Sequence, residues 1–309
     1  RNSVTLNTTS TNYGMMVGRY AGASNEVSNN MIVTSNNATG TAYGMYVNYC
    51  LNTNVYHNSV NIRAGSATGT RTLYILGSTS TLYGNIDVRN NIFTNNVGGY
   101  VSYINSGAAS TAHLSNLDNN IYHSSGATPF YYGTTTYPTF AAYQAASAMD
   151  SNSYFGIPGY LSQSDLHLQG GLAADSGANV GVMIDIDGDV RPLLPSTGYD
   201  IGADEYFICY PPDSLSLDSL DSRFAFVSWS SNKDSAFWKL TNLSAALDTN
   251  SFSVSKSISM NWLTENTSYE LKTWQNCNAR GIQSDTIILN FTTPACPLVN
   301  ANLSYSGSF

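Results

Sequence analysis

The sequence predicts an all-β protein in which a right-handed parallel β-helix, with three strands per coil, is followed by a β-sandwich. A short signature recurs through the first half of the chain at intervals of 27, 29, 32 and 29 residues, which is typical of stacked coils. The composition then changes near residue 207: every Trp and Lys lies after it, whereas 19 of the 22 Tyr lie before it. Two different folds are therefore joined, in residues 1–206 and 207–294.

The overall charge narrows the range of partners. Only 10% of the 309 residues are charged and the net charge is -8, so neither nucleic acid nor an anionic membrane surface is an expected partner. The sequence contains no apolar run long enough for a transmembrane helix and no signal-peptide pattern at its start. It begins in mid-pattern, so we expect a piece of a longer protein.

The recurring signature is Asn-x-apolar, and it opens the first strand of each coil. Asparagine tolerates a left-handed backbone at a corner, and its amide can bond to the asparagine of the next coil. We therefore predict an internal asparagine ladder formed by Asn2, Asn29, Asn58, Asn90 and Asn119.

A second apolar segment follows each signature, and a third precedes the next one. The middle residues of the second segments are expected to point outward, because side chains alternate along a strand; they are Met16, Tyr46, Tyr74, Ser102 and Tyr131. We predict that Tyr46, Tyr74 and Tyr131 bind glycans or other surface polymers by stacking on sugar rings. The alternative is that tyrosine is simply favoured on β-surfaces and stacks on its neighbours.

Residues 139–206 are predicted to cap the open end of the β-helix. They contain a potential amphipathic helix at 140–153, followed by the sequences DLHL (165–168), DIDGDVR (185–191) and DIGADE (200–205). This series resembles the terminal signature of pectin-lyase-like β-helix proteins in large secreted bacterial surface proteins.

Two interpretations of the acidic residues in this segment stay open. In one, Arg191 forms salt bridges with Asp187, Asp200 and Glu205 that lock the cap. In the other, Asp185, Asp187 and Asp189 hold a structural calcium ion in an irregular site, because the spacing of Gly188 and Ser196 does not fit an EF-hand. No other cofactor is expected.

Residues 209–294 contain seven short strand-like segments separated by turn residues. Trp229, Leu263 and Tyr269 resemble the pattern of a fibronectin type III domain, which implies that Tyr269 forms the tyrosine corner. The stretch that begins at Ala295 is similar to the one that begins at Ile208, so residues 295–309 are expected to open a further fibronectin-like repeat.

The cysteines indicate an oxidising, extracellular setting. We predict a Cys209–Cys277 disulfide, with Cys277–Cys296 as the alternative, and a buried thiol at Cys50. Asp-Ser/Thr-aliphatic triplets fit the O-glycosylation pattern of bacteria with type IX secretion, and the acceptors would be Ser214, Ser219, Ser235 and Thr286.

The predicted coils lack the usual catalytic residues of β-helix enzymes. Residues 1–117 contain Glu26 and Asp87 as their only acids and no Lys, whereas polysaccharide hydrolases and lyases need paired carboxylates or a calcium cluster with a basic residue. We therefore expect a non-enzymatic adhesin or stalk module on the bacterial cell surface. The alternatives are a polysaccharide lyase or hydrolase that uses Asp118, Asp150 or the cap acids, and a self-associating subunit of an extracellular filament.

Overall fold

The computed structural model describes residues 2–7, 9–18, 24–77, 83–105, 114–194, 196–207, 209–230, 236–253, 255–276 and 283–296. The chain divides into two compact units, residues 1–207 and 208–309. Each unit has its own hydrophobic core.

The first unit is built from short strands and one helix. In chain order they are β1 (Asn2–Leu6), β2 (Asn12–Gly18), β3 (Asn25–Ser28), β4 (Asn30–Thr34), β5 (Ala42–Asn48), β6 (Leu51–Tyr56), β7 (Ser59–Ile62), β8 (Arg71–Leu76), β9 (Gly84–Arg89), β10 (Ile92–Asn95), β11 (Tyr100–Asn105), β12 (Leu114–Asp118), β13 (Ile121–Ser124), β14 (Phe130–Tyr132), β15 (Thr135–Tyr137), α1 (Phe140–Ser147) and β16 (Tyr154–Phe155).

These strands form three sheets that run along the stack of coils. The first sheet has the order β1-β4-β7-β10-β13-β16, the second β2-β5-β8-β11-β14-β15 and the third β3-β6-β9-β12. All neighbours are parallel except β14 and β15. Each complete coil contributes one strand to each sheet, so the predicted parallel β-helix with three strands per coil is confirmed.

The core follows from period-two alternation in every strand. In the first sheet, Ile32, Val60, Phe93 and Tyr122 point inward and are fully buried. They pack against inward residues of the other sheets, such as Leu73 of β8. Burying an aliphatic or aromatic side chain of this size stabilises the fold by about 1.5–3 kcal/mol.

An asparagine ladder does run through the corner before the first sheet, but three of its predicted members are wrong. Side-chain amides bond from coil to coil at 2.8–3.0 Å through Asn2, Asn30, Asn58, Asn91 and Asn120. The predicted Asn29, Asn90 and Asn119 are instead the preceding corner residues, with positive φ angles of 55°, 59° and 52°. In each Asn-Asn pair, the first residue makes the left-handed turn and the second points inward.

Helix α1 closes the end of the core after the last coil. Its N-cap, Thr139, accepts a hydrogen bond from the Ala142 amide, and Tyr143 is fully buried against Phe130 with ring centroids 4.6 Å apart. The asparagine ladder ends nearby, where Ser153 Oγ accepts from the Asn120 amide and donates to Asp150 Oδ1.

Asp150 makes the end of the ladder sensitive to pH. It is buried, and burial raises the pKa of its carboxyl to about 7 despite hydrogen bonds that lower it. Because this folded-state pKa exceeds the ordinary aspartate value of 3.8, the folded chain binds more protons than the unfolded chain between these two pH values, and stability falls as pH rises through this window. From pH 5 to 7 we expect the β-helix to lose on the order of 2 kcal/mol through this group.

The measurement is urea unfolding at pH 5 and pH 7, for the wild-type protein and for Asp150→Asn. The asparagine of the variant keeps an acceptor for Ser153 but does not ionise. Between pH 5 and pH 7 the free energy of unfolding of the variant should therefore fall less than that of the wild type, by on the order of 2 kcal/mol. Equal pH dependence in both proteins would contradict this assignment.

The predicted cap at 139–206 is formed by its first part only, because residues 156–206, here called the strap, do not cover the end of the β-helix. They run along the outer face of the first sheet, where Leu168, Ala173 and Ile201 pack on Ile92 and Ile121. The corner residues hold the strap by hydrogen bonds: Asn29 to Ile184 O at 2.6 Å, Asn90 to Ala178 O at 2.6 Å and Asn119 to Ser176 O at 3.5 Å. The strap buries the outward apolar side chains Met31, Ile92 and Ile121 of the first sheet, and its Ala203 amide donates a hydrogen bond to the outward Ser59 hydroxyl.

The second unit is an antiparallel sandwich. Its seven described strands are β17 (Ser214–Asp221), β18 (Phe224–Ser230), β19 (Ala236–Asn242), β20 (Leu247–Ser253), β21 (Ser257–Met260), β22 (Ser268–Trp274) and β23 (Ile287–Thr292). They form the sheets β17-β18-β21 and β20-β19-β22-β23. The Tyr269 hydroxyl accepts a 2.8 Å hydrogen bond from the Thr264 amide, which is the predicted tyrosine corner. The unit is a fibronectin type III-like sandwich.

Candidate functional site: a tyrosine face on the second sheet

The outer face of the second sheet carries two neighbouring columns of residues, most of them tyrosines. Strand register places Met16, Tyr46, Tyr74, Tyr103 and Tyr131 in one column. It places Tyr13, Tyr43, Arg71 and Tyr100 in the other. We call the seven tyrosines together with Arg71 the tyrosine face.

The rings of the tyrosine face pack on one another along the stack of coils, which we call the rod. Tyr103 and Tyr131 stack with centroids 4.1 Å apart and planes 7° apart, and Tyr46 and Tyr74 stack at 4.5 Å and 28°. Between these two stacks Tyr74 meets Tyr103 edge to face, at 87° and 5.1 Å. Such ring pairs add about 0.5–1.5 kcal/mol beyond the area they bury.

Arg71 is the cation at the centre of the tyrosine face. Its guanidinium carbon lies 4.0 Å from the Tyr103 ring centroid and 4.6 Å from that of Tyr74, and Nη1 donates a 2.8 Å hydrogen bond to the Tyr43 hydroxyl. A cation over several ring faces is attracted by their quadrupoles. Arg71 therefore joins the two columns into one layer.

The packing keeps the hydroxyls protonated. Burial, reinforced by neighbouring tyrosines, raises the pKa of Tyr46 to about 12. Burial also raises the pKa of Tyr74 and of Tyr131. The hydroxyls of these residues consequently remain hydrogen-bond donors at and above neutral pH.

The structure changes two points of the predicted tyrosine stripe. Ser102 points inward, where its Oγ lies 3.1 Å from the Tyr143 hydroxyl, and Tyr103 takes the outward position. Tyr46 is only 8% exposed because its neighbours enclose it. The expected stacking of neighbouring tyrosines is therefore present. Because each stacked ring covers a face of the next, the stacked tyrosines offer a ligand mainly their ring edges and hydroxyls.

The predicted salt bridges of the strap are formed in part. Arg191 and Glu205 form a buried ion pair, and Arg191 Nη2 also donates to Asn29 Oδ1 at 3.0 Å. Asp187 faces His167 instead of Arg191, at 3.0 Å from Nε2. Asp200 accepts hydrogen bonds from the backbone amides of Asp175 and Tyr206, so it holds the strap without contacting Arg191 directly.

Asp185 anchors a turn of the strap through its carboxylate. Its Oδ1 accepts hydrogen bonds from the amides of Asp187, Gly188 and Asp189 at 2.8–2.9 Å, and its Oδ2 accepts from the Glu205 amide. These four amides bond to both oxygens that Asp185 would offer to the predicted calcium site of Asp185, Asp187 and Asp189, and that site stays a prediction.

Of the cysteines, Cys50 is a buried thiol, as predicted, and Cys296 is an exposed free cysteine. The alternative Cys277–Cys296 bond is therefore not formed. Cys277 lies outside the described residues, so the Cys209–Cys277 pairing stays a prediction. Among the glycosylation acceptors, Ser214, Ser219 and Thr286 are exposed, and Ser235 also lies outside the described residues.

Of the acids proposed for a catalytic alternative, Asp118 and Asp150 are both engaged in structural contacts. Asp150 is 1% exposed and accepts hydrogen bonds from Ser153 and Tyr122. Asp118 accepts two 2.7 Å hydrogen bonds from Asn152, one from its amide and one from its side chain. A polymer lying on the surface of the rod does not reach the Asp150 carboxylate.

Comparisons with known proteins concern the fold alone. No family model matches the chain, and no curated protein matches it either. Among solved structures, the chain is similar to the fn3 domain of human collagen alpha-1(XX), with 13% identity over 31% of this chain and 94% of that one and a TM-score of 0.28. A redesigned β-sandwich protein is 18% identical over 29% of this chain and 96% of that one, with a TM-score of 0.27. A two-domain fibronectin type III segment of chicken tenascin is 14% identical over 27% of this chain and 49% of that one, with a TM-score of 0.24.

The fold of each unit is therefore identified from its own strand order and not from these similarities. A β-helix joined to a fibronectin type III-like sandwich constitutes a structural or extracellular-type module. Within the described parts of the chain, no helix is both long and apolar enough to cross a bilayer.

Proposed function

We propose that this chain is a non-enzymatic adhesin or stalk module of a large secreted bacterial surface protein, and that its β-helix contacts glycans or other surface polymers through the tyrosine face. One observation carries the proposal: tyrosines from successive coils lie in register on one side of the rod. Strand spacing in such a stack is about 4.8 Å, so the side chains form a regular array along the axis.

The packing determines how a polymer would be held. In the stacks Tyr46–Tyr74 and Tyr103–Tyr131 the rings cover each other, so these residues offer their hydroxyls and ring edges to a ligand. Tyrosine combines an apolar body with a hydroxyl that donates and accepts, which suits the mixed apolar and hydroxyl surface of a sugar chain. An extended polymer lying along the rod would meet several such groups in succession, and their individually weak contacts would add.

The enzyme alternative receives less support from the geometry. Catalysis by paired carboxylates needs both groups beside the scissile bond, about 5–10 Å apart. Of the acids proposed for catalysis, Asp150 is buried, Asp118 is bonded to Asn152, and among the cap acids Glu205 is paired with Arg191. We therefore favour binding without catalysis.

Removing the hydroxyls while keeping the rings tests the proposal directly. Tyr103→Phe combined with Tyr131→Phe preserves the 4.1 Å stack but deletes two donors. We expect the protein to keep its stability and to lose about tenfold in affinity for a glycan identified on a glycan array, since each lost hydrogen bond to a neutral partner is worth about 0.5–1.5 kcal/mol.

The matched control is Tyr154→Phe combined with Tyr210→Phe, two exposed tyrosines outside the tyrosine face. This control should bind the glycan as the wild type does. If both double variants bind as well as the wild type, or if no glycan on the array is retained by the wild type, the proposed function of the face is wrong.

The same proposal places the protein outside the cell. It includes export by a type IX route and O-glycosylation at the exposed acceptors Ser214, Ser219 and Thr286. It also includes the Cys209–Cys277 disulfide and further fibronectin-like repeats after residue 294. The sandwich would act as a spacer that carries the β-helix away from the cell.

A further inference from the structure

A second candidate site lies in the strap, away from the tyrosine face. Three separate segments of the strap bring His167, Asp187 and Asp204 together, so that one ligand atom from each lies within 4.8 Å of the other two. Among the described residues, these are the histidine and carboxylate side chains whose ligand atoms lie close enough together to bind one metal ion. It includes neither Asp185 nor Asp189, the other two acids of the ion site that the sequence predicts.

His167 is oriented as a metal-binding histidine is. Its Nδ1 bonds to the Asp165 carboxylate, and its Nε2 points to Asp187 Oδ2 at a distance of 3.0 Å. A carboxylate on one ring nitrogen fixes the tautomer and leaves the other nitrogen to the metal, an arrangement typical of metal-ligating histidines. Asp165 therefore positions His167, and His167 presents Nε2 to two further carboxylates.

The backbone holds both carboxylates in place. Asp187 lies in the tight turn that Asp185 organises through its hydrogen bonds to three successive amides. Asp204 is 4% exposed, and its Oδ2 accepts a 2.8 Å hydrogen bond from the Leu168 amide, beside His167. Burying a carboxylate is costly unless charge and hydrogen bonds compensate for it, and a cation at this point would supply the charge.

We propose that His167, Asp187 and Asp204 bind one divalent first-row transition ion of the zinc class, with Asp165 as the positioning residue. Imidazole nitrogen combined with carboxylate oxygen suits zinc, whereas calcium prefers oxygen ligands alone. Ligand atoms of a tetrahedral zinc ion lie about 3.3 Å apart, close to the observed separation of His167 Nε2 and Asp187 Oδ2. His167 and Asp187 are partly exposed, so water can complete the coordination.

The ion would link three segments of the strap that are distant in sequence. His167 follows the loop at 160–165, Asp187 lies in the turn before Arg191, and Asp204 lies in the final segment that packs on the first sheet. The competing arrangement without metal is a protonated His167 among the same acids. Burial lowers the pKa of His167, but Asp165, Asp204 and Asp187 together raise it above its usual value.

Titration of the tag-free, metal-depleted full chain with Zn²⁺ separates the two arrangements. Calorimetry and elemental analysis should show one zinc ion bound per chain. When free zinc is at about a hundred times the dissociation constant, the unfolding temperature of the β-helix should rise by about 5 °C or more. Co²⁺ in place of zinc should give the visible absorption of a low-coordinate site, and Ca²⁺ should leave the unfolding temperature unchanged.

Variants distinguish ligands from bystanders. His167→Ala and Asp187→Asn should abolish stoichiometric zinc binding, and Asp165→Asn should weaken it about 10–100-fold. Asp189→Asn, in the same turn but outside the group, is the matched control and should bind as the wild type does. Circular dichroism of each variant shows whether it is folded. Absence of zinc binding by the wild type, or undiminished binding by a folded His167→Ala variant, would overturn the proposal.

Discussion

Replacing Asn91 by alanine is expected to lower the free energy of unfolding of the β-helix by about 4 kcal/mol. Asn91 is fully buried in the middle of the asparagine ladder. Its Nδ2 donates to Val55 O, Arg89 O and Asn120 Oδ1 at 2.8–3.0 Å, and its Oδ1 accepts from the amide and the side chain of Asn58. The substitution removes these five hydrogen bonds, each worth about 0.5–1.5 kcal/mol, and leaves the buried Asn58 amide without its side-chain acceptor. Arg89 O keeps its bond from the His57 amide, and Asn120 Oδ1 keeps its bond from the Asn91 amide.

Intrinsic fluorescence allows the two units to be followed separately in one urea titration. All four Trp lie in the second unit, whereas most Tyr lie in the first, so tyrosine emission reports mainly on the β-helix. The matched control is Asn116→Ala, an exposed asparagine of β12, which should change stability by less than about 0.5 kcal/mol. A loss for Asn91→Ala no larger than that of the control would show that the ladder does not hold the coils together.

The second large effect is expected for Arg191→Met. The Arg191 guanidinium is fully buried, forms an ion pair with Glu205 and donates to Gly202 O at 3.0 Å. Methionine fills similar space but leaves the buried Glu205 carboxylate without its cation. Breaking a buried ion pair from one side costs about 3–5 kcal/mol, so we expect the strap to detach before the coils unfold.

Limited proteolysis measures this effect, because cleavage within residues 156–206 should become much faster in Arg191→Met. The double variant Arg191→Met with Glu205→Gln should recover part of the loss, since no uncompensated charge then remains. Arg223→Met is the control, because the Arg223 side chain is 72% exposed and its contact with Glu265 is long, at 3.8 Å. Equal cleavage rates in all three variants and the wild type would refute a stabilising role for the pair.

The asparagine ladder shows which part of a repeat can be predicted. Ladder members stand two positions before an inward apolar residue, as Asn58 stands before Val60 and Asn30 before Ile32. In the Asn-Asn pairs, the Asn-x-apolar pattern predicts the first asparagine, because an apolar residue also follows it two positions later. Alignment of the coils on Val60 would have selected the second asparagine.

The same one-residue ambiguity affected the tyrosine face. The sequence pattern aligns the segment 101–103 with Leu73, Tyr74 and Ile75, whereas in the structure Ser102 pairs with Leu73 and Tyr103 with Tyr74. Because side chains alternate, a shift of one residue exchanges the inner and outer faces. The sequence pattern places Tyr46, Tyr74 and Tyr131 on the correct face, because it aligns their coils in the register that the structure shows.

The sequence by itself determined that two all-β units are joined, where the strands of each coil lie, and that Tyr269 forms a tyrosine corner. These features depend on local alternation and on short-range patterns, which a single chain displays directly. Only the tertiary structure decided that the strap lies along the first sheet, where the His57 ring meets Gly202 O across 145 residues of sequence, and that His167 faces Asp187 and Asp204. The physical reason is that such contacts depend on which segments pack together, and no local periodicity records that choice.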